Sequence, residues 1–187
     1  MATLSTDELQ QARIDLAAAF RWAVRHELHE GICNHFSLAV GDDQFLINAH
    51  GYHWSEITAS SILLANYDGT IVEGDREVEP TAFHIHSRIH KACPQAICVM
   101  HTHMPNATAL TLVEGGRLEP VEQGALRFHG STVYNDDYNG LALSSDEGDR
   151  IAAALGDNDI VFMAAHGVTV TGSSVARTFD KLYYLER

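Results

Sequence analysis

A chain of 187 residues, 45% hydrophobic and 20% charged, has the length for one globular domain with a sizeable buried core and holds no apolar run long enough to span a bilayer. A formal charge of −13 with no basic cluster excludes a nucleic-acid backbone as partner and leaves small molecules or proteins. Cys33, Cys93 and Cys98 are odd in number and lack CxxC spacing, which excludes a disulfide framework and reads as reduced, semi-buried packing residues; the N-terminal MATLSTDELQQAR has neither the basic nor the apolar region of an export signal, so the cytoplasm is the default location.

From Thr6 to His26, apolar residues at helical spacing follow the capping sequence Ser5-Thr6-Asp7-Glu8 and predict a first helix. Phe36 to Val40 and Gln44 to Asn48 flank Gly41-Asp42-Asp43 and read as a β-hairpin. Ile62 to Tyr67 and Thr70 to Glu73, joined by Asp68-Gly69, repeat that pattern. A helix is expected from Thr81 to Ala92, stopped before Pro94. Ala96 to Met100 is a continuous apolar run typical of a buried strand, ending in His101-Thr102-His103. Beyond Gly115-Gly116, residues Ser131 to Asn139 look irregular and Asp146 to Leu155 helical. Ile160 to Ala165 reads as a second buried strand broken by His166-Gly167, and Ser174 to Arg187 as a final helix. No repeat or linker divides the chain. The pattern predicts a layered α/β domain with a mixed or largely antiparallel sheet.

Histidine is the unusual residue, with 12 present, as many as Lys and Arg together. A His-x-His pair on an extended segment directs both imidazoles to one side, because strand side chains alternate with period two. His101 and His103 can therefore chelate one ion, and the repeat of an apolar strand before His166 brings a third imidazole. Three neutral imidazoles with open positions describe a catalytic divalent site, zinc first, with manganese, iron or cobalt as alternatives. Gly167 permits a sharp turn or a close approach. His84, His86 and His90 form a second group. His86 and His90 share a helical face and either chelate or pack at the edge of the site, and His35 and His129 are read the same way. His50 and His53 belong to an exposed loop.

The segments Cys33-Asn34-His35-Phe36-Ser37, Ile57-Thr58-Ala59-Ser60-Ser61, Ile85 to His90, Val99 to His103 and Ala165-His166-Gly167 run in the order of the class II aldolase and adducin head-domain family, which the chain resembles over nearly its whole length. The Asn-His-x-Ser pattern, with Tyr183-Tyr184-Leu185-Glu186, is similar to the adducin-like branch. The resemblance implies an α/β/α layered single domain with a mostly antiparallel central sheet, commonly a homotetramer with sites near subunit interfaces. It also implies a C-terminal segment beyond Arg187, where the family usually continues its final helix. The family's metal histidines carry over to His101, His103 and His166. Asn34 falls on a substrate-contacting asparagine, or is a turn residue holding its own backbone, and Gly51 on a phosphate-loop glycine.

The sequence departs from the sugar-phosphate aldolases at Ala82, which stands where they carry a glutamate acid/base. Pro80, Thr81 and His50 reduce the phosphate-binding groups, so a phosphorylated sugar is not the expected substrate. Proton transfer then falls to Glu79, otherwise a solvated charge at the helix start, or to His86, one turn beyond Ala82, otherwise structural. The expected function is metal-dependent lyase chemistry, aldol cleavage or decarboxylation, on a small hydroxy-carbonyl or carboxylate substrate. A ferrous oxygenase and a non-catalytic adducin-like assembly or binding module are the alternatives.

Overall fold

The computed structural model describes residues 4–187; the first three residues of the N-terminal stretch weighed for an export signal lie outside the described part. Ser5 accepts from the Glu8 amide while the Glu8 carboxylate returns to the Ser5 amide at 2.8 Å, a closed capping box that starts helix α1, Thr6–Arg25. Its apolar stripe seals Leu16 and Phe20 completely. Phe20 stacks on Phe36 and meets Trp54 edge-on, each with ring centroids 4.7 Å apart. Each such side chain taken fully from water contributes about 2 kcal/mol.

The strands β1, His35–Ala39, and β2, Gln44–Asn48, form the first hairpin, and β3, Ile62–Asn66, pairs with β4, Ile71–Glu73, in the second. Helix α2, Pro80–Ala92, is followed by β5, Cys98–Thr102, and α3, Pro105–Thr111. A short α4, Gln123–Leu126, precedes β6, Thr132–Asn135, and α5, Ser145–Leu155; then come β7, Ile160–Met163, β8, Gly167–Gly172, and α6, Val175–Glu186. The eight strands make one sheet in the order β4-β3-β2-β1-β5-β8-β7-β6, antiparallel everywhere except between β6 and β7. The α/β/α layering and mostly antiparallel sheet are as the family resemblance implies.

Alternation along β1 divides the layers. Phe36 and Leu38 enter the core beneath α1 and α6, while His35 and Ser37 face α2 on the other side. Ile85 and Ile89 of α2 meet Ile151 and Leu155 of α5 in the second core. Four details differ from the sequence reading. The segment from Ser131 contains a strand, β6, hard to recognise because it is four residues long and paired on one side only. Residues after His166 form β8, whose Thr169 and Thr171 are as buried as its valines, so no polar face marks it. Strand β5 starts at Cys98, which places His101 inside the strand. Cys33 is exposed rather than semi-buried.

Candidate metal centre

The cross-strand register builds the site. His35 of β1 lies opposite His101 of β5, and His101 lies opposite Thr169 of β8. His103 follows two residues later, one residue past the strand end, on the same side as period two requires. His166 sits in the turn between β7 and β8, where Ala165 takes a left-handed φ of 53° and donates its amide to Thr111 O at 2.9 Å. Gly167 is required by space, because a Cβ there would come within 2.6 Å of Thr102 O and 2.8 Å of the His103 ring. The turn and the strand end are thereby pressed together.

The donor atoms of His101, His103 and His166 all lie within 4.8 Å of one another. The tautomers of two follow from their partners. His101 Nδ1 faces Val168 O at 3.0 Å and must carry the proton; His103 Nδ1 faces the Glu30 carboxylate at 2.5 Å and does the same. With a single proton on each ring, both Nε2 atoms are bare, and they face each other at 3.1 Å. Two lone pairs at that separation repel unless a cation lies between them, and a carboxylate behind a histidine is a common support for a metal ligand. Burial, followed by the neighbouring imidazoles, pushes His101 well below the usual histidine range, and burial with His103 brings His166 down to about 4. His101 and His166 are therefore neutral near pH 7, the state a metal ligand needs. The three histidines fit a divalent ion.

Behind them lies a second set of rings. His35 Nδ1 meets His86 Nε2 at 2.7 Å, His86 Nδ1 meets Ser37 Oγ at 2.5 Å, and Ser37 Oγ meets His90 Nε2 at 2.7 Å. His90 Nδ1 ends the run on Ala96 O at 2.8 Å. Desolvation dominates all three imidazoles. It lowers His35 to about 3 and His90 to about 4, and puts His86 well below the usual range.

The other residues singled out in the sequence take varied places. Asn34 is buried and accepts through Oδ1 from the amides of Glu30, at 2.9 Å, and His103, at 3.2 Å. Its amide nitrogen is buried without a partner. Gly51 lies in an exposed turn at φ 87° with open space around it. Glu79 caps α2, accepting from Ala82 N at 2.8 Å and from the Thr81 hydroxyl, and Ala82 is itself buried. His86 is sealed completely. His129 lies on the surface and not at the site edge; His53 is half-buried, its Nε2 3.2 Å from that of His29. The sequence reading missed Glu30, 73 positions from the ring it supports, and the joint role of His35 and Ser37, although their i, i+2 spacing on a strand was a readable signal.

A three-layer domain with a cluster of three histidines, of a geometry that fits a cation, where its central strands end is the class defined by this fold and site. The chain belongs to the class II aldolase and adducin family: residues 14–187 match the Class II Aldolase and Adducin N-terminal domain. It is 36% identical to an aldolase II superfamily protein from Pseudomonas syringae of known crystal structure, covering 98% of this chain and 74% of that one with a TM-score of 0.91. An L-fuculose 1-phosphate aldolase from Glaciozyma antarctica shares the fold at 23% identity, with 100% of this chain and 74% of that one covered and a TM-score of 0.86. Alpha-adducin of Rattus norvegicus is 34% identical over 179 residues, 92% of this chain but 24% of adducin. Among the described residues no helix is long and apolar enough to cross a membrane.

Proposed function

We propose that this chain is a metal-dependent lyase that cleaves a C–C bond in a small hydroxy-carbonyl or carboxylate compound. The observation that carries the reading is the pair of bare nitrogens, His101 Nε2 and His103 Nε2, 3.1 Å apart with the His166 ring beside them. A divalent ion held by these three residues, zinc first by the donor set, supplies Lewis-acid polarisation of a substrate carbonyl when bound. The protein's own groups supply orientation. Val168 O and Glu30 hold two of the rings, and Gly167 lets the turn bearing His166 close on them. Asn34, with its oxygen spent on two amides, has a free donor beside His103 for a substrate oxygen. Gly51 is proposed as a substrate-loop residue on family likeness alone.

Glu79 is spent on the helix cap, so proton transfer is not assigned to it. Decarboxylation needs no base at its first step, because departure of carbon dioxide itself leaves the electron pair on carbon; aldol cleavage needs an acceptor for a hydroxyl proton. A cytoplasmic homo-oligomer, with a tetramer as the form to look for, completes the proposal. Metal analysis of the purified protein beside the variant His101→Ala/His103→Ala/His166→Ala is the test. About one ion per chain is expected in the former and none in the latter, and equal content in both overturns the reading. Hydroxy acids screened for released carbon dioxide, against sugar phosphates screened for released aldehyde, then separate the two reactions. The identity with alpha-adducin supports a second reading, a non-catalytic assembly or binding module; it requires that no substrate of either panel turns over in the metal-loaded protein.

A further inference from the structure

Between the loop after α3 and the β7–β8 turn lies a cavity of about 530 Å3, a size that suits a small-molecule ligand and that the proposed reaction does not use. The glycine pair after α3 shapes it. Gly115 takes a left-handed φ of 69°, Gly116 N donates to Val113 O at 2.9 Å, and a Cβ on Gly116 would come within 2.1 Å of Leu110 O. The loop is folded tightly on itself and brings Leu110, Val113, Glu114 and Arg117 to the cavity wall. The sheet supplies Tyr134 and Phe162, whose rings stack with centroids 5.2 Å apart.

Arg117 is held in that wall by the protein alone. Its guanidinium lies 4.3 Å from the centroid of the Tyr134 ring and donates to Gly116 O at 2.8 Å, while the Tyr134 hydroxyl accepts from Leu118 N at 2.9 Å. A second N–H goes to Asp136 at 2.7 Å, but the two side chains are 36% and 66% exposed, and an ion pair in that setting contributes only about 0 to 1 kcal/mol. Three of the five guanidinium N–H groups remain for a ligand. Glu114 has no hydrogen bond or ion pair among the described residues. One cation and two carboxylates therefore share an apolar cavity. A plain carboxylic acid would suit Arg117 and bring a like charge to Glu114 and Asp136; a plain amine would suit the carboxylates and be repelled by Arg117.

We infer that this cavity binds a free α-amino acid with an apolar side chain, its carboxylate on Arg117, its ammonium on Glu114 and Asp136, and its side chain against Leu110, Val113 and Phe162. The inference goes beyond the lyase reading and does not rest on it. The site adjoins the frame of the metal centre: Ala164 and Ala165 line it, Ala165 N donates to Thr111 O at 2.9 Å, and His166 is the next residue.

Methyl NMR of metal-free protein labelled at alanine reads occupancy at the site itself, because Ala164 and Ala165 carry methyl groups there; Ala164→Ser and Ala165→Gly assign the two signals. L-leucine and L-phenylalanine are expected to shift both saturably, with Kd of about 1 mM or tighter. L-leucine methyl ester, which lacks the carboxylate, and N-acetyl-L-leucine, which lacks the ammonium, should bind about 10-fold more weakly or worse. Arg117→Met should weaken L-leucine about 10-fold and leave the ester unchanged, whereas Glu114→Gln should weaken L-leucine and leave the N-acetyl compound unchanged. Val113 is 62% exposed, so Val113→Trp should fill the cavity and abolish the shifts at an unchanged melting temperature. No saturable shift with either amino acid overturns the inference. So does an ester or N-acetyl compound that binds as tightly as L-leucine, or L-leucine binding that survives both Arg117→Met and Val113→Trp. The titration needs neither metal nor turnover, so its failure leaves the lyase reading standing, and a protein that holds no metal leaves this inference standing.

Discussion

Glu30 is half the reason that His103 is proposed as a ligand. Its carboxylate, 63% exposed, meets the ring at 2.5 Å and holds the proton on Nδ1 so that Nε2 faces the cleft. Because it is exposed and makes no core contact, Glu30→Ala should leave the melting temperature of the metal-free protein unchanged and weaken zinc affinity about 10-fold to 100-fold, measured by chelator competition. Unchanged affinity would show that the ring holds its own orientation. Asn34 has a second, structural duty on the same loop, tying Glu30 N to His103 N, so loop and ligand move together. The i, i+2 spacing of His101 and His103 was legible because strand alternation is a local property. Glu30 was not, since nothing near it in the chain marks an acid destined for a ring 73 positions away.

Two elements put the site in place, and each has a test. Helix α2 begins on the Glu79 carboxylate, which accepts from Ala82 N. Glu79→Ala should cost about 1 kcal/mol of stability in denaturant melts, and Glu79→Ser should recover most of it, with kcat the same in both. A fall in kcat at full stability in Glu79→Ser would return the carboxylate to the reaction. The β7–β8 turn is tighter still. Gly167→Ala places a methyl group against Thr102 O and the His103 ring, neither of which can yield without moving β5 or a ligand. A loss of about 1 to 3 kcal/mol is expected, with zinc affinity falling in parallel. Crystal structures of the variant that keep the His103–His166 spacing would refute this account. Helix α1 was readable from its periodicity and cap, α2 from its apolar face and the proline that follows it, α5 from its helical pattern, and both hairpins from their turn residues. Strands β6 and β8 were not, because one is a short edge and the other hides threonines in the core.

The molecule stores His35, His90 and His166 as uncharged rings, and its stability should follow pH accordingly. His35 is held at about 3, and His90 and His166 at about 4, all below the 6.5 of a free imidazole, chiefly because burial penalises the charged form. Above pH 6.5 neither folded nor unfolded chain protonates these groups, and the stability is complete. As pH falls from 6.5 toward 4 the unfolded chain gains protons that the folded one refuses, so stability is lost on the order of 1 kcal/mol per pH unit per buried ring. The net charge of −13 works the other way, since acid relieves its self-repulsion, but that repulsion is spread over a solvated surface and screened. Melts of the metal-free protein should therefore show a steep drop in midpoint between about pH 6.5 and pH 4; a flat profile would mean that the rings are charged or solvated in the fold. What the sequence determined by itself was everything carried by local spacing: capped helices, hairpin turns, the apolar central strands and two histidines on one side of a strand. Only the tertiary structure decided which distant groups complete them. The direction of a hydrogen bond between His35 and His86, 51 positions apart, depends on sheet register and helix placement, and these form only when the chain has packed.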